Sequence, residues 1–536
     1  MPGLLFPLRG RTSNFPAMAP RDPALSRRAF TQLLGAAALA PMLPRDDQSP
    51  LSHMTDALSD AVSKAAAVEA DEITALSAID MAARIRRKDL SAREVLEAHL
   101  ARIERVNARV NAIVTLVPDK ARAWAKAADE KQAGGAPLGP LHGLPVAHKD
   151  LVDTAGIRTT RGSPYYRDNV PTTDALIVKR LRAAGAVTIG KTNTPEFGAG
   201  SNTFNPVFGA TRNPYDLSRT VGGSSGGAAC ALTCNLVPIA DGSDTGGSLR
   251  NPAAWNNVVG FRPSPGRVPD DDGSWSPLST HGPMARSVAD VALFLSAIAG
   301  FYAPDPTALS DDPALFRGAL ARSHKGARIA WFTSLGGLPF EPEIRRVVDA
   351  NRHVFTDLGA VVEDAEPDFS GVDEAFPVLR HLSYHSNYAA IAREHPDQVK
   401  DTIKWEIAEA ERQTAADVAR ASARQAKMFR DVATFFSRYD AFVCPVTQVD
   451  PFPLTTEYPT SVAGVAMPTY IDWMRSCWYV TFMQCPAISV PAGFSASGLP
   501  VGLQIVGKPR GDWPLLQLAH AFEQATKHGA RRPLSS

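Results

Sequence analysis

The chain has 536 residues, 44% of them hydrophobic and 21% charged, an ordinary globular composition. A formal net charge of +1 argues against a nucleic-acid surface, and no apolar run approaches the ~20 residues of a membrane span. The five cysteines are an odd number, and Cys230 and Cys234 sit on one helical face with no His or Cys at ligand spacing nearby, so they read as packed thiols rather than a metal pair.

In chain order, Ser26-Arg27-Arg28-Ala29-Phe30 precedes a weak apolar run over 33–40. A twin arginine ahead of such a run resembles a bacterial Tat export signal, which implies a periplasmic or secreted protein, a cytoplasmic one being the alternative. Pro41 disfavours cleavage after Ala40, and Met18 offers a second start. Residues 1–45 are therefore set apart from the fold, and the polar, alanine-rich stretch 46–72 reads as a linker or a loosely held first helix. Ser77 and Ser91 both stand at helix starts with capping-box spacing. The second opens an amphipathic helix with Val95, Leu96, Leu100 and Ile103 on one face. Another helix follows over 120–132, closed by Gly134-Gly135.

Leu144-Pro145-Val146-Ala147-His148-Lys149-Asp150 is an apolar strand ending on a lysine. A helix over 173–184 and a β-branched strand over 186–189 come next. Gly185 to Thr192 matches the P-loop pattern, but its strand lies between the glycines, where a phosphate loop would have it before them. Gly222-Gly223-Ser224-Ser225-Gly226 matches Gly-x-Ser-x-Gly, yet the preceding residues 213–219 read as loop, and a nucleophile elbow needs a strand there. His281, His324, His381 and His520 supply no recognisable partner for an elbow serine.

After Arg250 the reading is loop as far as Pro269, then a helix over 287–300. Residues 327–364 make a β-α-β passage, its helix over 341–358. The stretch 372–439 is mostly helical and polar. Strands return at 441–443, 487–490 and 501–505, and a last helix covers 513–527. Helices alternate with strands through most of the length, which predicts one α/β domain over 73–530 around a large mixed sheet.

Glycine-flanked serines dominate the chemistry. Ser224 and Ser248, in Gly-Gly-Ser-Ser-Gly-Gly and Asp-Thr-Gly-Gly-Ser-Leu-Arg, are brought together by one helix–strand return. A hydroxyl needs a base before it attacks. Lys149 can serve only if burial lowers its pKa from about 10.4. A surface charge is the plain alternative for that lysine.

The 144–150, 222–227 and 244–250 segments together resemble the amidase signature family. Gly190-Lys191-Thr192-Asn193, Glu196-Phe197, Gly260-Phe261-Arg262-Pro263-Ser264 and Gly498-Leu499-Pro500-Val501-Gly502-Leu503-Gln504 extend the likeness over roughly residues 73 to 530. The stretch from about 370 to 480 carries no clear family motif. The resemblance implies the amidase signature fold, a mixed sheet covered by helices on both faces, with its core over 140–300 and a variable helical region over 370–480. It implies Ser248 as nucleophile, Ser224 as proton relay with a cis peptide at its backbone, and Lys149 as terminal base. The backbone N–H groups of Thr245, Gly246 and Gly247, with that of Ser248, would form the oxyanion hole.

Around these, Ser225 either bonds Lys149 or caps the following helix, and Asp244 and Arg250 brace the turn as a pair. His148 should point to the other side of the strand, and Asp150 supports the site from behind or is structural. The aromatic segment holding Tyr470, Trp473, Trp478, Tyr479 and Phe482 is core or pocket wall.

The reaction implied is hydrolysis of a small-molecule carboxylic amide to the acid and ammonia or an amine, with no metal or organic cofactor. An esterase or carbamate hydrolase on the same residues, a transamidase component like the A subunit of glutamyl-tRNA amidotransferase, and a non-catalytic binding member are the alternatives. The oligomeric state is not written in the sequence, and a homodimer is compatible with it.

Overall fold

The computed structural model describes residues 70–271 and 277–533. The twin-arginine segment at 1–45 and most of the expected linker lie outside the described residues. The linker's last residues are an exception. Residues 70–75 are helical, and Asp71 is held by Arg102 at 3.1 Å, so this helix runs across the boundary expected at residue 73.

Among the described residues, eleven strands form one mixed sheet. In chain order they are β1 (Ile113–Leu116), β2 (Pro145–Lys149), β3 (Val187–Thr192), β4 (Ile239–Asp244), β5 (Val259–Arg262), β6 (Thr280–Ala285), β7 (Arg328–Trp331), β8 (Val361–Asp364), β9 (Ala441–Pro445), β10 (Ala487–Phe494) and β11 (Pro500–Gly507). Across the sheet they run β1-β3-β2-β4-β6-β5-β10-β11-β9-β7-β8. β3, β2 and β4 are mutually parallel, as are β9, β7 and β8, and the strands between these groups pair antiparallel.

Side chains alternate between the faces of a strand, and the central strands use both. Val146, Ile239 and Ala285 enter one apolar core, while their neighbours Ala147, Ala240 and Met284 enter a second. The first core is covered by the helix Val288–Ile298, among others, and the second by helix α1 (Ala92–Val110) and helix α2 (Gly226–Thr233). This is the α/β fold expected, with helices on both faces.

Local signals explain the helix starts. Ser91 and Glu94 close a reciprocal capping box at the head of α1, and Val95, Leu96, Leu100 and Ile103 are buried. Ser77 accepts from the Asp80 N–H at 3.0 Å.

Several expectations need correction. The stretch from Arg250 to Pro269 is loop only in part: it forms helix α3 (Arg250–Trp255) and then β5, and residues 263–269 are irregular. Its polar and proline-rich composition hid elements that are wholly buried. Residues 216–220 form a short strand paired with Arg212–Asn213 in a separate hairpin. Something strand-like does therefore precede Gly222, though outside the main sheet. The helix expected over 341–358 is two helices, Pro342–Asp349 and Arg352–Asp357. Asn351 at the break turns its amide to the Val347 carbonyl at 2.9 Å, a local bond that competes with helix continuation.

The weakly patterned region after 370 contains helix α4 (Val372–Glu394), helix α5 (Asp401–Arg412) and helix α6 (Ala415–Phe435), followed by helix α7 (Arg475–Phe482). No helix among the described residues is long and apolar enough to cross a membrane.

Candidate active site

β2 and β4 are parallel neighbours, so their C-terminal ends emerge at the same edge of the sheet. Lys149 ends one, and the turn 244–250 leaves the other. The Lys149 side chain is fully buried, with Nζ 2.7 Å from Ser224 Oγ and 3.0 Å from Ser243 Oγ. Burial penalises the ammonium and lowers its pKa to about 7, with Asp244 and Asp241 pulling in the opposite direction. Near neutrality a sizeable fraction of this lysine is an uncharged amine, able to accept a proton.

The serine loop sits where α2 begins. The Gly223–Ser224 peptide is cis. Thr203 Oγ1 bonds the Gly222 carbonyl at 2.7 Å, and Ser201 Oγ bonds the Gly223 carbonyl. Asn251 Nδ2 reaches Ser201 Oγ at 3.1 Å, which ties the loop to α3. The Ser225 N–H donates to the Ser248 carbonyl at 3.2 Å, so the two serine-bearing segments touch through their backbones. Ser248 itself is half-buried.

Ser225 takes neither of its two expected roles. It occupies the N-cap of α2 without a side-chain cap bond, and its Oγ lies 3.4 Å from the Ser243 backbone. The strand β4 runs too close for the hydroxyl to turn elsewhere: a Cβ at Gly242 would fall 2.6 Å from Ser225 Oγ. The second hydroxyl on Lys149 belongs to Ser243.

The 244–250 turn is organised by charge. Arg250 Nε and Nη2 meet the two oxygens of Asp244 at 3.0 and 2.9 Å, and the same guanidinium reaches the Cys477 carbonyl, Gln504 Oε1 and Thr481 Oγ1 at 2.9, 3.1 and 2.9 Å. Arg262 bonds the Asp244 carbonyl. Burial alone would raise the Asp244 pKa, but Arg250 and Arg262 outweigh it and keep the carboxylate ionised. Arg250→Ala would leave that anion buried with its main partner gone. The expected loss is about 3–5 kcal/mol of unfolding free energy, read from urea denaturation; a loss under ~1 kcal/mol would contradict the bracing role.

Asp244 also claims backbone donors. Its Oδ1 accepts the Gly247 N–H at 2.9 Å and Oδ2 the Leu249 N–H at 3.1 Å. Gly247, expected among the oxyanion donors, is thereby turned inward. Its φ of 115° and the 2.6 Å that would separate a Cβ from Cys477 Cβ explain why glycine stands there. The donors not drawn to Asp244 are those of Thr245, Gly246 and Ser248.

The aromatic segment is packed into the core, with part of it close to the turn 244–250. Trp473 stacks on Trp255 at 5.5 Å between centroids, a core contact, and Phe482 is fully buried. Tyr479 stacks on Phe369 at 5.0 Å. By contrast Met474 and Trp478 of the 474–482 stretch, with Phe376 of α4, stand within 4.0 Å of where a Cβ on Gly246 would be. Phe376 and Trp478 stack at 4.6 Å. Tyr470 packs beside Gly200 and joins Arg380 and Glu406 in a buried polar cluster.

His148 points away from Lys149, to Asp241 and Thr188. Asp150 is engaged by Thr160, at 3.2 Å from its N–H, and burial raises its pKa. Lys191, the P-loop-like lysine, is buried within β3 and bonds the Val152 carbonyl and Thr154 Oγ1. Cys230 and Cys234 are buried free thiols.

Sequence reading missed Ser243, Asp241, Arg262 and Ser201. For Asp241 a signal existed, since an acid inside a short apolar strand stands out from its neighbours. Ser243 carried none, because only the parallel pairing of β2 with β4 brings it to Lys149.

Comparison with known proteins finds relatives of the chain. The family model described as Amidase matches residues 94–516. An acylamidase of Rhodococcus erythropolis is 37% identical over 466 residues, covering 86% of this chain and 98% of the relative. The A subunit of the glutamyl-tRNA(Gln) amidotransferase of Moorella thermoacetica is 36% identical over 488 residues, covering 86% and 99%. The crystal structure of a bacterial aryl acylamidase of the amidase signature family superposes with a TM-score of 0.80 at 29% identity, covering 86% of this chain and 99% of that one.

Proposed function

The chain belongs to the amidase signature family, whose acylamidase members hydrolyse amide C–N bonds, and we propose that it cleaves a carboxylic amide through an acyl-enzyme on Ser248. The observation that carries this reading is the buried Lys149 Nζ at 2.7 Å from Ser224 Oγ, beside a loop bonded to the Ser248 backbone.

In this mechanism the neutral Lys149 amine takes the proton of Ser224, and Ser224 takes that of Ser248 as its oxygen attacks the carbonyl carbon. The N–H groups of Thr245, Gly246 and Ser248 receive the oxyanion, each such donor being worth ~3 kcal/mol of barrier. Collapse breaks the C–N bond, and Ser224 protonates the leaving nitrogen while Lys149 returns its proton to Ser224. Water then attacks the ester carbonyl by the same relay, releasing the acid and restoring Ser248. A lysine suits both directions of transfer because its pKa lies near the working pH.

The apolar wall of Phe376, Met474 and Trp478 beside Gly246 favours an aryl or bulky apolar acyl group over a small polar one.

The pH profile tests the base. Lys149 works unprotonated, and burial sets its pKa at about 7. The kcat/KM for an anilide should therefore be low in acid, climb through about pH 7 and level off in mild alkali. A profile that falls above neutrality while the protein stays folded would contradict a lysine base.

The match to amidotransferase A subunits supports a second reading, in which ammonia from an amide is passed to a partner-bound acceptor. Steady hydrolysis of a simple anilide by the isolated chain would exclude that reading as the primary function.

A further inference from the structure

Asp241 is fully buried in β4, next to the lysine and outside the proton relay. Its two oxygens take two successive residues of β2. Oδ1 accepts the Lys149 backbone N–H at 2.7 Å, and Oδ2 accepts from His148 Nδ1. The other ring nitrogen of His148 meets Thr188 Oγ1 on β3 at 3.0 Å, so the imidazole, also fully buried, spans from β4 to β3. The backbone register of β2 with β4 stops at Val146↔Ile239 and Ala147↔Ala240. Beyond it the Asp241 side chain stands in for the missing ladder bond, at the residue whose Nζ reaches Ser224 and Ser243.

We propose that Asp241 is a positioning residue for Lys149: its carboxylate bridges the gap where β2 and β4 part, aims Nζ at the two serine hydroxyls, and places a fixed negative charge beside the amine. The inference rests on Lys149 being the base of the reaction. A backbone bond alone could be supplied by any acceptor. A buried carboxylate shared between a histidine ring and a catalytic strand end supplies charge as well as aim.

The charged groups that act on Lys149 are Asp244 and Asp241 on β4 and His281 on β6, whose partner is Asp270. Beside them Lys191 on β3 interacts with Asp150 just past β2 and with Asp241, and helix α2, packed on β2, carries Cys230 as its titratable group. Asp244, paired with Arg250 and Arg262, and Asp241 both favour the charged lysine, Asp244 the more strongly, and burial holds Cys230 as a neutral thiol. Asp241 is the one of the two whose charge bears on Lys149 and Lys191 together. Its own pKa stays low, because His148 and the Lys149 N–H offset the burial that would raise it.

A neighbouring anion favours the protonated lysine, so removing the charge while keeping an acceptor lowers the lysine pKa. In Asp241→Asn the rising limb of kcat/KM against pH should move down by roughly half to one unit. Asp241→Glu keeps the charge but misplaces the strand end, so its limb should stay near the wild-type position while kcat falls by about tenfold or more with KM little changed. Both variants and the wild type would be profiled on one anilide, with circular dichroism to confirm folding. If the wild type has no rising limb near neutrality, the base assignment fails, whatever the variants do. If the wild-type limb is present and neither variant departs from it in limb or kcat, the role of Asp241 alone is overturned. Asp241→Glu carries the test should Asp241→Asn not fold: an undiminished kcat in that variant overturns the proposal.

Discussion

Ser248→Ala is expected to leave a folded protein whose turnover of a simple aryl amide is lower by at least about 10³-fold. The side chain is half-buried at a turn whose geometry is set by Asp244, Arg250 and Arg262 rather than by the hydroxyl. Stability should therefore change by less than about 1 kcal/mol. The loss should be in kcat, since the hydroxyl acts on the reacting carbon and the apolar wall near Gly246 that would bind the acyl group is untouched. Steady-state kinetics with denaturation curves on the same preparation check both parts. Turnover within tenfold of wild type would remove Ser248 from the mechanism.

Lys149→Ala is the second large effect. It deletes the proton acceptor and leaves Ser224 and Ser243 facing a small void at the end of β2. Loss of a positioned general base costs typically 10²–10⁴-fold, and an anilide, whose leaving nitrogen must be protonated, should show the high end. An activated aryl ester, whose leaving group departs as an anion, should suffer less. The ratio of ester to amide activity is thus expected to rise in the variant by about tenfold or more. An equal loss on both substrates would mean that the lysine acts before leaving-group departure only. The void itself costs stability too, of the order of 1–3 kcal/mol for a buried long side chain, so unfolding curves are needed beside the rates.

What the sequence made legible, and what it hid, divides along physical lines. The glycine-flanked serines stood out because small residues on both sides leave their backbone open, whereas the strand-terminal lysine, on its own compatible with a surface charge, was singled out by the family resemblance of its segment. The α/β alternation was visible as well: α1 carries its apolar stripe and its capping box in plain order. Buried polar elements were hidden. β5 ends on Arg262, and β6 contains Gly282 and Pro283 yet pairs through its whole length with β4. Neither looks like a central strand to a reading based on apolar runs. The region after 370 was recognisably helical, but nothing in it announced that Phe376 would stand beside Gly246, or that Arg380 and Glu406 would form a buried ion pair at 2.7 Å.

The site divides the same way. Lys149 and Ser243 lie in two distant segments, and their meeting depends on the parallel pairing of β2 with β4. The donors of the turn were misjudged at one position. Gly247 looks like Gly246 in sequence, but the Asp244 carboxylate, folded back by Arg250, draws the Gly247 N–H to itself. Ser225 was misplaced because its neighbour Gly242 lets β4 pass close enough to capture it, leaving Ser243 to meet the lysine. The meetings of Lys149 with the serines and of Ser225 with β4 turn on contacts between separated segments, whereas the Asp244–Gly247 bond is local and depends on the turn that Arg250 folds.

The central claim, an acyl-enzyme on Ser248 served by Ser224 and Lys149, is tested most directly by locating the acyl group. The wild-type protein would be quenched in acid during turnover of an aryl carbamate, chosen because its acyl-enzyme hydrolyses slowly, and digested for mass spectrometry. The account predicts one modified peptide, carrying the carbamoyl group on Ser248, absent from Ser248→Ala. A carbamoyl group on Ser224, or turnover with no covalent adduct, would contradict it.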